Sequence, residues 1–246
     1  MSKLLVKNIG RLQTPVGSFP HCGEKQGENL KLDNAAVYAE DGIIKAIASD
    51  GEIPVNEEDM DTIIDAEGKL VTPGLVEGHT HMVFGGYRQN EIPLKLKGAG
   101  YLDILRAGGG IMDTVRKTRS ASFEELYEKT EGFLDEMMYM GVTTCEIKSG
   151  YGLDLENEIK MLEVIKKLNE DHPMDIAATF LGPHAIPEEY KGRADEFIDL
   201  CCEEMLPAVK EKNLAEFADI FTEDSVFNYE QSCVKCAASF RRRKRN

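Results

Sequence analysis

The beginning of the chain contains short hydrophobic segments separated by polar residues, as β-strands joined by turns do. Residues 36–38 and 43–44 are two such segments, and they flank Asp41 and Gly42, a dipeptide that favours a tight hairpin turn. The pattern predicts a small β-sheet domain over residues 1–68, ahead of the main domain.

From residue 69 onward, strands alternate with longer helical segments. Residues 74–79 are a short apolar run between glycines, which predicts a buried strand. Ser122 and Glu125 have the spacing of a capping box and open a helical pattern that stops before Gly141. The remaining predicted elements are strands at 142–147, 176–180 and 217–221 and helices that begin at 155 and 195, the second of which runs to about residue 212 and is bent or ended by Pro207. This order is typical of parallel βαβ units, in either a doubly wound sheet or a (β/α)₈ barrel.

The acidic composition of the chain argues against some classes of binding partner. The chain of 246 residues has 44 acidic and 29 basic side chains and a formal net charge of −15, which argues against binding to nucleic acid or an anionic membrane. No apolar run approaches the roughly 20 residues that span a bilayer, and we see no secretory signal, so we expect a cytoplasmic protein. The six cysteines are irregularly spaced and are expected to be reduced thiols.

His79 and His81 form the strongest candidate site in the sequence. Residues i and i+2 of an extended segment point to the same side, so both imidazoles can reach one metal ion where the strand at 74–79 enters a loop. The alternative is a pair of histidines on a surface loop. Their position favours the metal, because active sites of βα folds gather at the carboxyl ends of the strands. Cys233 and Cys236 also have zinc-ligand spacing, but no second pair accompanies them and we expect no metal there.

Three further polar side chains follow the predicted strands. Arg88 lies in the loop after the paired histidines, where its planar guanidinium can bind a substrate carboxylate or simply face solvent. Tyr151 follows the second strand of the series and His184 follows the third. His184 can line a pocket or be a buried, hydrogen-bonded histidine. Polar groups at successive strand ends predict a convergent pocket.

Several segments of the chain resemble a known family. Residues 73–81 (PGLVEGHTH) are similar to the metal-binding first strand of the amidohydrolase superfamily. The narrower resemblance is to imidazolonepropionases, and it rests on residues 84–91 (FGGYRQNE), 107–111 (AGGGI), 146–154 (EIKSGYGLD) and 181–187 (LGPHAIP). The segment EIKSGYGLD is far more specific than two histidines alone, and the resemblance runs to about residue 232.

The resemblance implies a fold, a reaction and roles for the candidate residues. The fold would be an α/β one, the N-terminal half of a (β/α)₈ TIM-like barrel preceded by the small β domain. The reaction would be hydrolysis of a cyclic amide C–N bond, which opens the small molecule 4-imidazolone-5-propanoate to N-formimidoyl-L-glutamate in histidine degradation. One zinc or iron ion would be the cofactor, with His79 and His81 as its ligands. Arg88 would bind the propionate carboxylate, and Tyr151 and His184 would contact the imidazolone ring.

The chain departs from this family after residue 232. In the family, further metal-binding and catalytic residues lie on later strands, whereas no histidine follows His184 here. Residues 233–246 contain the run RRRKR, which is foreign to an acidic chain, and we interpret them as a frameshifted or wrongly predicted end. We therefore expect an incomplete barrel over residues 69–232, with no catalytic residue beyond the metal ligands and with weak metal retention.

Two other hypotheses stay open. A non-catalytic fragment would self-associate into a homo-oligomer or require a separately encoded second half, because four parallel strands leave two edges unpaired. Another amidohydrolase, such as a deaminase or a cyclic amidase, would keep the fold and change the substrate. Arg88 and the segment 148–154 argue against this last hypothesis.

Overall fold

Two compact units make up the structure. The structure is a computed structural model that describes residues 2–49, 52–100, 103–104, 107–223 and 226–233. The first unit is Met1–Gly74, and the second begins at Leu75. The first unit extends past the predicted boundary at residue 68, because Leu70–Val71 pairs with the first strand. The basic run near the end of the sequence lies outside the described residues.

A β-sheet forms the first unit. Its described strands are β1 (Lys3–Pro15), β2 (Asn29–Glu40), β3 (Ile43–Ser49), β4 (Thr62–Asp65) and β5 (Leu70–Val71), in the order β3-β2-β1-β4 with β5 also paired to β1, and 3₁₀ helices lie at Gly23–Gly27 and Glu57–Asp59. The predicted hairpin joins β2 and β3. Its turn residues both have positive φ, 49° at Asp41 and 78° at Gly42, as a type I′ turn requires. Ile9, Leu12 and Ala35 are buried, so this sheet has a small core of its own.

A parallel sheet forms the frame of the second unit. Its described strands are β6 (Leu75–Thr80), β7 (Val142–Lys148), β8 (Asp175–Phe180) and β9 (Phe217–Ala218), and they lie side by side in chain order. A doubly wound sheet reverses its strand order at a switch point, whereas a (β/α)₈ barrel keeps its strands in sequence. The unbroken order of these parallel strands therefore confirms the predicted half-barrel architecture.

The described helices of the second unit connect its parallel strands, except the last one, which follows β9. They are α1 (Ile92–Leu96), α2 (Ile111–Ser120), α3 (Phe123–Tyr139), α4 (Leu155–Asp171), α5 (Ala194–Leu200), α6 (Leu206–Glu211) and α7 (Tyr229–Gln231), with 3₁₀ turns at Gln89–Glu91 and Glu188–Tyr190 and a π-helical turn at Cys201–Met205. The predicted capping box starts α3: the Ser122 hydroxyl accepts from the Glu125 amide at 3.1 Å, and the Glu125 carboxylate accepts from the Ser122 amide at 2.8 Å. Asp154 caps α4 by accepting from the Asn157 amide at 2.7 Å. In the described part of the chain, no helix combines the length and the hydrophobicity that crossing a membrane demands.

Three elements differ from the predictions. The segment 195–212 is not one helix but α5, a π-helical turn and α6. The backbone stays helical between these elements, and the π-helical turn lies just before Pro207, which is the kind of interruption that a proline within a helix predicts. The strand predicted at 217–221 is only two residues long. The predicted elements also omit α2, although its apolar residues Ile111, Met112 and Val115 have helical spacing and pack in or against the core of the second unit.

β6 is more exposed than its sequence predicts. Leu75 and Val76 are 57% and 71% exposed, although the apolar run 74–79 predicts a buried strand. The reason is that, among the described strands, β6 has a hydrogen-bonded neighbour on one side only, which is β7. By contrast, α3 and α4 pack against β7 and β8, and they bury Leu126 and Leu162 in the core of the second unit.

Candidate functional site

The carboxyl ends of β6, β7 and β8 bring four candidate rings together. His79 lies near the end of β6 and His81 just past it, with ring centroids 5.3 Å apart. Tyr151, from the loop after β7, lies 5.6 Å from His81. His184, from the loop after β8, stacks on His81 with centroids 4.7 Å apart and planes 10° apart. Tyr151 and His184 are 5.3 Å from each other. Side chains that are far apart in the sequence therefore meet at the carboxyl ends of these parallel strands.

The surroundings of His81 hold it in its neutral form. Burial, with smaller contributions from the charges of His184 and His79, lowers the pKa of His81 to about 4. Its Nδ1 atom is buried and has no hydrogen-bond partner among the described residues. A buried ring nitrogen without a partner is unfavourable, and the neutral imidazole is the form that binds a metal ion. His81 is therefore ready to act as a ligand.

The loop after β7 determines which nitrogen of His184 carries the proton. The Nδ1 atom of His184 lies 3.0 Å from the carbonyl oxygen of Gly150, which can only accept, so Nδ1 is the donor. Burial lowers the pKa of His184. In the neutral ring, Nε2 is then the acceptor, and it is available for chemistry in the site.

Tyr151 stays a phenol at neutral pH. Burial raises its pKa, and the positive charge of Arg88 opposes the rise without cancelling it. The Tyr151 ring also lies 6.5 Å from Phe84, at the start of the loop that carries Arg88. Arg88 is therefore close enough to this group of rings for its charge to act on them.

Glu91, a residue that the sequence pattern does not single out, holds Arg88 in place. The Nε and Nη2 atoms of Arg88 donate to the Glu91 carboxylate at 2.7 and 2.9 Å, and the Gly110 amide donates to the same carboxylate at 2.7 Å. Glu91 is 1% exposed, and its hydrogen bonds with Arg88 lower its pKa to about 2. One buried carboxylate thus fixes both the arginine and the glycine-rich turn at 107–111. The i, i+3 spacing of Arg88 and Glu91 could have indicated this ion pair from the sequence.

We expect Glu91→Gln to destabilise the second unit by about 2 kcal/mol at neutral pH, because the charge that pairs with Arg88 is lost. The Arg88 side chain is 38% exposed, which keeps the effect below that for a fully buried pair. The pKa of Glu91 is lowered from 4.5 to about 2 by folding. Its stabilising effect is therefore fully present above pH 4.5 and is lost as the pH falls towards 2.

Urea unfolding over this pH range measures the Glu91 effect. The difference in unfolding free energy between wild type and Glu91→Gln should shrink steadily as the pH falls below 4.5. Glu128→Gln, at an exposed position of α3, is the matched control and should differ little from wild type at any pH. A difference for Glu91→Gln that does not change with pH would contradict the ion pair.

A network of charged and polar side chains connects β7, β8 and the segment that follows β9. The Lys148 ammonium lies 2.9 Å from the Glu146 carboxylate and 3.1 Å from that of Asp219, and the Thr179 hydroxyl donates to Glu146. Lys148 is buried and close enough to His81 to contribute to its lowered pKa. Glu146 and Lys148 are residues i and i+2 of β7, so they share one face of the strand. That alternation of charged residues within a strand is a signal for the network, but Asp219 lies too far along the chain for the sequence to predict the contact.

The resemblance to amidohydrolases implies a metal ion, and the described residues fit it in part. His79 and His81 come from one strand end, and the Nδ1 atom of the neutral His81 ring, which has no partner among the described residues, is a suitable donor. However, the part of the chain that the structure describes contains no group of three His, Cys, Asp or Glu side chains arranged to hold a metal. A catalytic zinc ion typically takes about three protein ligands and a water. The described residues therefore supply two of the donors that such a site needs.

Solved structures with the same fold define the class of protein. Residues 62–102 match the Amidohydrolase family. The chain is similar to E. coli guanine deaminase, with a TM-score of 0.55 and 14% identity over 94% of this chain and 49% of that one. It is also similar to an atrazine chlorohydrolase from Arthrobacter aurescens TC1 complexed with zinc, with a TM-score of 0.50 and 14% identity over 93% of this chain and 48% of that one. The chain has the fold of an amidohydrolase.

Sequence comparison is more specific. The imidazolonepropionase of Alkaliphilus oremlandii is 51% identical over 231 residues, which are 92% of this chain and 54% of the relative. That of Brevibacillus brevis is 46% identical over 232 residues, or 92% of this chain and 55% of the relative. The chain is thus similar to imidazolonepropionases over most of its own length, and it spans about half the length of the curated relatives it matches.

Proposed function

We propose that this chain provides part of a metal-dependent site that hydrolyses a cyclic amide, with 4-imidazolone-5-propanoate as substrate and N-formimidoyl-L-glutamate as product. The observation that carries the proposal is the convergence of four rings at the carboxyl ends of the parallel strands, one of which has a buried nitrogen, His81 Nδ1, without a partner among the described residues: His79, His81, Tyr151 and His184. Identities of 46% and 51% to proteins named imidazolonepropionase favour this substrate over that of a deaminase or another cyclic amidase. We expect the activity in the cytoplasm.

The state of each side chain suggests its task. His79 and His81 would hold a single zinc or iron ion, which supplies Lewis acidity towards the ring carbonyl and a water of lowered pKa. The Nε2 atom of His184 would accept a hydrogen bond from a ring N–H, and the Tyr151 phenol would donate one to the unprotonated ring nitrogen. Arg88, already oriented by a buried carboxylate, would bind the propionate group through its planar guanidinium.

We expect little turnover by this chain alone. Hydrolysis adds the oxygen of water to the ring carbonyl carbon, breaks the adjacent C–N bond and delivers a proton to the released nitrogen. A cation held by His79 and His81 alone is bound less firmly than one with about three protein ligands. Metal should therefore be lost on dialysis, and ring opening should be far slower than the roughly 10 s⁻¹ of a typical enzyme. Stoichiometric metal after dialysis together with turnover near that rate would contradict this expectation.

Binding of a stable analogue tests the proposed substrate without requiring turnover. Imidazole-4-propanoate has the ring and the carboxylate but lacks the carbonyl that reacts. Titration calorimetry in the presence of zinc should detect its binding, and Tyr151→Phe should weaken the binding about threefold to tenfold through the loss of one hydrogen bond. Tyr139→Phe is the matched control, because Tyr139 is 94% exposed at the end of α3. If the wild-type chain does not bind the analogue, the proposed substrate is wrong.

A second candidate function, a non-catalytic chain that self-associates, rests on a different observation. β6 and β9 are the two edges of the described parallel sheet, and Leu75 and Val76 on β6 are largely exposed. Unpaired edges with apolar side chains favour association with another copy. Size-exclusion chromatography with light scattering distinguishes the two functions. Oligomers that grow with concentration would support self-association, and a compact monomer would contradict it.

A further inference from the structure

One buried carboxylate organises the loop that carries Tyr151. Glu158, in the first turn of α4, is 0% exposed. Its carboxylate accepts hydrogen bonds from four groups of the loop 149–153: the amides of Gly150 at 3.1 Å, Gly152 at 2.8 Å and Leu153 at 2.9 Å, and the hydroxyl of Ser149. Backbone amides can only donate, so the loop wraps around a single acceptor.

The conformation of this loop requires such an anchor. Leu153 has a φ of 53°, in the left-handed region that a residue with a branched side chain rarely adopts, and Gly150 has a φ of 113°. Gly152 passes so close to α4 that a Cβ atom there would lie 2.5 Å from the backbone nitrogen of Glu158. Because the backbone alone does not favour this path, the contacts to Glu158 are what hold the loop against the start of the helix.

The loop in turn positions two of the four rings of the candidate site. It carries Tyr151 itself, and the carbonyl oxygen of Gly150 accepts from Nδ1 of His184 at 3.0 Å. The Ser149 hydroxyl, which donates to Glu158, also accepts from the amide of Leu181 at 3.0 Å. A change at Glu158 is therefore transmitted to the loop after β7 and to the loop after β8.

We propose that Glu158 is a positioning residue of the candidate site. It holds the loop 149–153 in the conformation that presents Tyr151 to the substrate and that keeps the proton of His184 on Nδ1. The proposal rests on the proposed function, in which Tyr151 and His184 contact the substrate ring. Glu158 itself contacts the loop and not the substrate.

The test uses the full chain without metal or substrate, so its outcome is independent of whether the proposed function holds. Glu158→Gln keeps the shape of the side chain but replaces one acceptor oxygen by an amide group that donates. In nitrogen-15 NMR spectra we expect His184 to change from one tautomer to a mixture, and in proton–carbon-13 spectra we expect the Tyr151 ring signals to move. Exchange of the Gly152 amide with solvent should become at least about tenfold faster. Glu156→Gln, at an exposed position in the same turn, is the control and should leave these signals unchanged.

Two results would overturn the proposal. A folded but less stable Glu158→Gln variant in which Tyr151 and His184 keep their wild-type signals would show that Glu158 only stabilises the fold. The second result comes from hydrogen exchange in the wild-type chain. This measurement does not need the variant, so it tests the proposal even if Glu158→Gln fails to fold. The amides of Gly152 and Leu153 should be protected by their bonds to Glu158, and exchange as fast as in an unstructured loop would contradict this.

Discussion

His81→Ala should weaken zinc binding by this chain about 100-fold or more. Changes to residues that merely orient metal ligands cost about 10–100-fold in affinity, and the loss of one of two ligands should cost at least as much. The His81 ring is buried and neutral, with a pKa of about 4, so no proton competes with the metal near pH 7. Its Nδ1 atom has no partner in the described structure that zinc would have to displace. Removal of the ring should therefore affect binding directly.

Competition with a chelating dye measures the zinc affinity. His79→Ala should show a loss of similar size, because the two rings lie at one strand end with centroids 5.3 Å apart. His21→Ala, in the first unit, is the matched control for the removal of an imidazole and should bind zinc as the wild type does. If His81→Ala and wild type have equal affinities, the metal binds elsewhere and the pair is not a metal site.

Gly85→Ala should destabilise the second unit by about 3 kcal/mol. A Cβ atom at this position would lie 2.3 Å from the carbonyl oxygen of Lys117 and 2.7 Å from the amide nitrogen of Thr118, both in the backbone of α2. The loop cannot easily move away, because the buried amide of Gly85 donates to the Thr118 hydroxyl at 2.9 Å. On its other side, Lys129 donates to the carbonyl oxygens of Phe84 and Gly86 at 3.0 and 2.6 Å.

Chemical unfolding of two glycine variants tests the close approach at Gly85. Gly132→Ala is the control, because Gly132 is exposed in α3 and a Cβ atom there would meet no atom within 4 Å. Alanine in an exposed helix interior is better than glycine by about 1 kcal/mol, so Gly132→Ala should be more stable than wild type. If Gly85→Ala is as stable as wild type, the loop that carries Arg88 does not pack on α2 in this way.

The features that the sequence predicted well are local ones. The capping box of Ser122 and Glu125, the cap at Asp154 and the turn at Asp41 and Gly42 depend on residues within a few positions of each other. The pattern of strands and helices likewise predicted parallel βαβ units, because the period of the hydrophobic positions reflects each element separately. The choice of a barrel over a doubly wound sheet came from the family resemblance.

The features that the sequence could not predict depend on distant residues. The exposure of Leu75 and Val76 depends on which strand lies next to β6, and no pattern within residues 74–79 contains that information. Glu91 and Glu158 look like ordinary helical glutamates until the fold buries them under backbone amides of neighbouring loops.

The candidate site was predictable to a different extent for each residue. Spacing alone indicated His79 and His81, whereas Arg88, Tyr151 and His184 gained their roles from the family resemblance. The structure brings Tyr151 and His184 against His81, because parallel strands end at the same edge of the sheet. Their roles towards a substrate stay predictions.

X-ray absorption spectroscopy at the zinc edge tests the central claim most directly, namely that His79 and His81 are the metal-binding end of this site. The sample is the full chain with one equivalent of zinc. We predict a nitrogen and oxygen shell at about 2.0 Å with the outer-shell scattering of imidazole rings, and we predict that this scattering weakens in each single histidine variant. A sulfur shell at about 2.3 Å, or imidazole scattering that is unchanged when both histidines are replaced by alanine, would contradict the claim.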